Sequence, residues 1–243
     1  HALAGGGAHR AAPLMPEALD IFLENFADWH SLVRIWPLLA QGLMLTLKLA
    51  AVALPLGIAA GLVVGLGCAL GGRVARAALI VWIDLFRAFP VLVLLILIFY
   101  GLPFLGVTLP AFAASVLALV LNNSGYFGEI FRAGLANVPR GQMEAALALG
   151  LRPLRAMWLV VLPQALRAVI APLASNSLEL VKTTSIASLV ALPELLRSAR
   201  VAQEQTYNPT PLMAAAVIYF VLLWPFAHLV ARLERRMLAS EAR

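Results

Sequence analysis

The sequence predicts an all-α membrane protein with about five transmembrane helices, and three observations carry that reading. Of its 243 residues, 62% are hydrophobic and only 12% are charged, and the mean hydropathy is +0.91, far from the balance of a water-soluble domain. Several apolar runs exceed the roughly 20 residues that a helix needs to cross a bilayer. Strict two-residue alternation, the mark of a membrane-spanning β-barrel, is missing.

Residues 1–15 are rich in Gly and Ala and are expected to be disordered. Over 16–37, Phe22, Phe26, Trp29, Val33 and Trp36 recur at helical spacing, while Glu17, Asp20, Glu24 and Asp28 fall on other faces. This pattern predicts an amphipathic helix lying at an interface. The transmembrane domain follows over 38–236. Span 1, at 38–70, carries Gly57, Gly61 and Gly65 at four-residue intervals, which allow another helix to approach closely. Span 2 is expected at 77–100, span 3 at 111–135, span 4 at 164–190 and span 5 at 211–233. A short tail, 237–243, ends the chain.

Five spans place the two ends on opposite sides. Arg73, Arg76, Arg132, Arg140, Arg152, Arg155, Arg232, Arg235 and Arg236 share one side, against Arg10, Arg34, Arg197 and Arg200 on the other. The positive-inside rule then predicts an external N-terminus and a cytoplasmic C-terminus in a bacterial inner membrane. The net charge of +6 is not a nucleic-acid signal: 16 of the 18 basic residues are Arg scattered at span ends, without a basic run. Cys68 is a single cysteine among small apolar residues and reads as packing, with neither a disulfide nor a metal site.

Ionisable groups at membrane depth usually face protein or a water-filled cavity. Asp84 with Arg87, Glu129 with Arg132 and Glu179 with Lys182 each place an acid three residues before a base, on neighbouring positions of one helical face. Such pairs either neutralise themselves within the bilayer or line a translocation route. Asn122, Tyr126 and Glu129 share one face, as do Asn176, Glu179 and Thr183, and Asn123, Thr184 and Ser185 are further polar neighbours offering hydrogen bonds. Two polar stripes favour the route, and a route offering both signs suits a zwitterion without selecting one.

The long interruption at 137–163 reads NVPRGQMEAALALGLRPLRAMWLVVLP. Asn137 is a candidate cap for a helix that Pro139 helps to start, and Gly150 supplies the left-handed residue that ends it. A second helical piece opens at Pro153 and is expected to bend at Leu162-Pro163. Glu-Ala-Ala at 144–146, three residues, Gly150, nine residues, Val160, one residue and Leu-Pro together resemble the EAA loop of ABC-importer permease subunits. The likeness continues over about 39–236. Leu39, Gly42, Leu43, Thr46 and Leu47, then RAFPVLVLLILIFYGLP at 87–103, YFGEIFRAGL at 126–135, LPQAL at 162–166, VKTTSIASL at 181–189 and Pro193-Glu194-Leu195 resemble the polar amino acid permease branch of that family.

The resemblance implies a type I ABC importer permease fold, with a cytoplasmic coupling helix whose Arg140, Gly141, Glu144, Ala145, Ala146, Leu149 and Gly150 dock on a separate ATPase dimer. It also implies a second permease subunit, identical or sister, and an external solute-binding protein, in a setting of membrane lipid. ATP and Mg would be held by the ATPase. The chain departs from the branch at Ala88-Phe89, where Gly-Thr is usual, at Leu94, where Gln is usual, and at Thr183, where Asp is usual. Each change removes polarity from a helix expected to border the route, so either the solute is less polar than usual or this subunit leaves recognition to a partner. No GxxxxGK[ST] loop occurs and the only lysines are Lys48 and Lys182, so ATP hydrolysis is not expected from this chain. The alternative reading is a passive channel or a structural membrane subunit.

Overall fold

The computed structural model describes residues 28 to 241, so the part of the expected interfacial helix at 16–27 lies outside the described residues. All regular structure among them is helical: α1 (Trp29–Leu70), α2 (Arg73–Ala88), α3 (Val91–Leu105), α4 (Ala111–Ala136), α5 (Arg140–Ala148), α6 (Pro153–Val190), α7 (Leu195–Thr206) and α8 (Thr210–Glu241). Four helices among the described residues are individually long and apolar enough to cross a membrane, and α2 with α3, bent by 97°, makes five when the pair is counted as one span.

α1 runs unbroken for 42 residues through Pro37 and Pro55, opened by Asp28, whose carboxylate accepts from the His30 N–H at 3.0 Å. Trp29 to Trp36, expected in a separate interfacial helix, are its first turns. Pro37 removes one backbone donor but does not end the helix, because Ile35 and Leu39 on either side are clamped into one cluster with α7 and α8.

Span 2 is not one straight helix. α2 and α3 meet at 97° across Phe89-Pro90, both in extended backbone, and α3 closes with a π turn at Leu97–Gly101 and a 3-10 turn at Leu102–Leu105. α6 differs from expectation in the opposite sense. The bend foreseen at Leu162-Pro163 is instead a π turn over Met157–Val161 that absorbs the proline, and the helix continues to Val190. The Gln164 side chain donates to the Val160 carbonyl there at 2.9 Å. α7 is an additional short helix between spans 4 and 5.

α1 and α4 form the most extensive helix pair. Gly61 lies where an added Cβ would stand 2.8 Å from the Gly128 backbone N, and Gly65 where it would press on Phe131. Gly57 and Gly61 both pack on Phe127, which is fully buried. The four-residue glycine spacing therefore lets two apolar helices touch backbone to backbone, the close packing by which helices associate in lipid. Cys68, also buried, sits at the end of this seam with Val64 and Ile83.

Gly61→Val forces that seam apart and is expected to destabilise the fold by about 1–3 kcal/mol. Gly101→Ala, which meets nothing within 4 Å and stands in right-handed helical backbone, is the control and should not lower the melting temperature in detergent.

Candidate functional site: a polar cavity at a broken helix

Pro90 has no N–H, so the Phe86 carbonyl that a continuous helix would bond through residue 90 is left open. The turn to α3 removes the acceptor roles of Arg87 and Phe89 as well. In hydrocarbon no water replaces such bonds, so an open carbonyl must find protein or face a water-filled cavity. α4 supplies the donors. Asn122 Nδ2 donates to the Phe86 carbonyl at 2.9 Å and to the Phe89 carbonyl at 3.1 Å, and the Tyr126 hydroxyl donates to the Arg87 carbonyl at 3.2 Å. One turn away, Trp82 Nε1 donates to Ser124 Oγ at 2.9 Å. Asn122 is 7% exposed, and both of its amide hydrogens are committed to backbone.

The break walls off a cavity of about 340 Å³ between the α2–α3 corner, α4 and α6. Of the residues expected along a route, Arg87, Asn122, Tyr126, Asn176, Glu179 and Thr183 line it, joined by Phe89, Val91, Asn123 and Leu180. Asp84, Glu129, Lys182 and Ser185 do not. Glu129 and Arg132 form a two-pronged ion pair at 2.7 and 2.6 Å, and Lys182 Nζ reaches Glu179 Oε1 at 2.6 Å. The third expected pair is absent: Asp84 and Arg87 do not bond, and the Arg87 guanidinium instead stands 5.9 Å from the centre of the Tyr126 ring. An i,i+3 spacing permits an ion pair, but the aromatic face offered by α4 holds the arginine toward the cavity.

Asn123, expected as a polar neighbour of the route, lies off the Asn122–Tyr126 face because consecutive helical residues point about 100° apart, and it lines the cavity as well. Its Nδ2 donates to the Leu119 carbonyl at 2.9 Å, and its Oδ1 accepts from Asn176 Nδ2 at 3.0 Å, tying α4 to α6. Of the four departures from the family pattern, Ala88, Phe89 and Thr183 line this cavity, and Leu94 packs outside it with α4.

α5 differs in detail from its expected capping. Asn137 closes α4 rather than opening α5, whose N-cap is Pro139. Its C-terminus closes as foreseen: Gly150 stands at φ 85°, with the Leu151 N–H on the Ala146 carbonyl at 3.2 Å and the Gly150 N–H on the Leu147 carbonyl at 2.9 Å. Ala146 is 3% exposed and α5 rests on the first turns of α6, while Arg140, Gly141, Glu144, Ala145 and Leu149 are open on its surface. Leu149 is 84% exposed.

A second polar knot lies between spans 4 and 5. Glu194 is fully buried, accepts from the N–H groups of Leu196 at 2.9 Å and Arg197 at 2.7 Å, and receives the Tyr219 hydroxyl at 3.1 Å. Thr46 accepts from the Leu195 N–H at 3.1 Å, and Gly42 leaves no room for a Cβ beside Ser198. Gly42, Thr46 and Pro193-Glu194-Leu195, noted only as scattered matches in sequence, thus form one joint between α1, α7 and α8.

A polar cavity at a broken helix inside an apolar bundle, with a short amphipathic helix projecting from one end, defines a helical membrane transport subunit. The sequence matches the model of the family described as binding-protein-dependent transport system inner membrane component over residues 53–239. The glutamine transport system permease protein GlnP of Escherichia coli K12 is 30% identical over 213 residues, covering 86% of this chain and 97% of its own. The arginine transport system permease protein ArtQ of Bacillus subtilis is 31% identical over 221 residues, covering 88% and 99%. A crystal structure of an amino acid ABC transporter with histidines superposes with a TM-score of 0.77 at 36% identity, over 86% of this chain and 99% of that one. The chain belongs to the inner-membrane component family of binding-protein-dependent transport systems, within its amino acid ABC permeases, and has the type I importer permease fold.

Burial pushes the Glu194 carboxyl above its ordinary value of 4.5, against the hydrogen bonds from Leu196, Arg197 and Tyr219 that hold it down. A raised folded-state pKa means that the neutral form is the one the fold favours, so the stabilisation is complete below 4.5 and is lost as pH rises through the raised value. In detergent, the melting temperature of the native protein relative to Glu194→Gln is therefore expected to fall as pH is raised from 4.5 toward neutral. A constant difference across that window contradicts this assignment.

Proposed function

We propose that this chain is the permease subunit of an ATP-driven, binding-protein-dependent importer that moves an amino acid into the cytoplasm by alternating access. The observation that carries the reading is the cavity itself, which is lined by a guanidinium at Arg87 from α2 and a carboxylate at Glu179 from α6. The α-carboxylate of an amino acid would bond Arg87, and its ammonium group would take the Glu179 oxygen not engaged by Lys182. Phe89, Val91 and Leu180 leave an apolar wall for the side chain, and the departures at Ala88, Phe89 and Thr183 favour a less polar one. A volume of about 340 Å³ is at the small end of ligand pockets, matching a single amino acid.

The same reading makes α5 the part that receives force. Its exposed Glu144, Ala145 and Leu149 would dock on an ATPase dimer that binds ATP and Mg, while inward-facing Ala146 seats it on α6. Because α6 carries Asn176, Glu179 and Thr183, displacement of α5 reaches the cavity along one helix. Docking that differs between two states of the ATPase is what would shift the bundle between inward and outward openings. A second permease subunit and an external solute-binding protein complete the assembly. The arginine count at the α5 end supports a cytoplasmic C-terminus and an external N-terminus.

In vesicles holding the full transporter and its binding protein, Arg87→Gln and Glu179→Gln are each expected to lower ATP-dependent amino acid uptake by about tenfold or more, the loss of one charge-assisted hydrogen bond. Uptake unchanged in both variants would remove the cavity from the route.

A further inference from the structure

A second cavity, of about 310 Å³, opens at the end of the bundle that carries α5, between the end of α1, the start of α2, the end of α4 and the π turn of α6. Arg76, Arg132 and Arg140 line it, and no carboxylate does. Arg132 uses Nε and Nη2 on Glu129, and its Nη1 has no acceptor among the described residues. Arg76 and Arg140 have no acid or hydrogen-bond partner among the described residues. Three guanidinium groups around one concavity, offset by a single carboxylate, give it a positive potential that favours an anion. The inner wall is apolar, with Leu135, Met157 and Val161 buried in one cluster. The arrangement sets cationic groups beside an apolar patch, and it lies at the ends of the candidate spans α1 and α4.

We propose that this cavity binds the phosphate of an anionic membrane phospholipid, held by Arg76, Arg140 and the free Nη1 of Arg132, with its glycerol and upper acyl carbons against Leu135, Met157 and Val161. A phosphate diester fits the planar donor fork of arginine, and basic pockets between membrane helices are recognised lipid-headgroup sites. A free phosphate shares the anionic chemistry but has no use for the apolar wall. The lipid bridges α2, α4 and α5, so it braces the exposed short helix against the spans.

The test is native mass spectrometry of the delipidated protein in detergent, titrated separately with phosphatidylglycerol, phosphatidylcholine and inorganic phosphate. One phosphatidylglycerol is expected to bind on the order of tenfold more tightly than phosphatidylcholine, and Arg76→Gln combined with Arg140→Gln is expected to abolish that preference. If the double variant is not monodisperse, Arg76→Gln alone, at an exposed position, should reduce the preference measurably. Equal binding of the two lipids, or a preference that survives both variants, overturns the proposal. Binding of inorganic phosphate without lipid preference overturns the lipid as occupant, as does an anion effect seen only with the ATPase attached.

Discussion

The structure depends on how three backbone carbonyls are satisfied at a break in the second span. Pro90 breaks the second span, and the carbonyls of Phe86, Arg87 and Phe89 are left without intrahelical donors. Unmet, each would cost about 1–3 kcal/mol at least, enough to straighten or expel the corner. Asn122 and Tyr126 meet all three, so the 97° break is a held feature rather than a flexible one. The cavity follows from it, because a continuous span would fill the space that the corner vacates.

α4 is consequently the hub. Its glycine and Phe127 face closes on α1 without a gap, its Asn122, Ser124 and Tyr126 hold α2 at the corner, and its Asn123 bonds Asn176 on α6. A helix packed by small residues on one side and by hydrogen bonds on the other keeps the cavity walls in register. Farther along the bundle, Glu194, Thr46 and Tyr219 do the same for α7, replacing hydrophobic drive, weak between helices in lipid, with directional bonds.

Much of this was legible in the chain. Apolar length gave the spans, glycine spacing gave the α1 seam, and Gly150 after the 144–146 run gave the end of α5. Polar residues at helical spacing singled out Asn122, Tyr126, Asn176 and Glu179 as cavity residues. The rest escaped for physical reasons. A proline inside an apolar run looks the same whether the helix breaks, as at Pro90, or absorbs it in a π turn, as near Pro163, because the partner that decides is remote in sequence. Asp84 and Arg87 had the right spacing, but a Tyr126 ring 39 residues away competes for the arginine. α7 was hidden by its short length and mixed polarity.

The central claim is that Asn122 holds the break. Amide exchange across residues 86–94 in Asn122→Leu, a variant of similar volume without donors, measures it directly. The account predicts exchange faster by about tenfold or more over that stretch, with the α1–α4 seam unchanged, since losing about 1.4 kcal/mol of local stability opens the corner tenfold more often. Exchange at 86–94 identical to that of the native protein would contradict it.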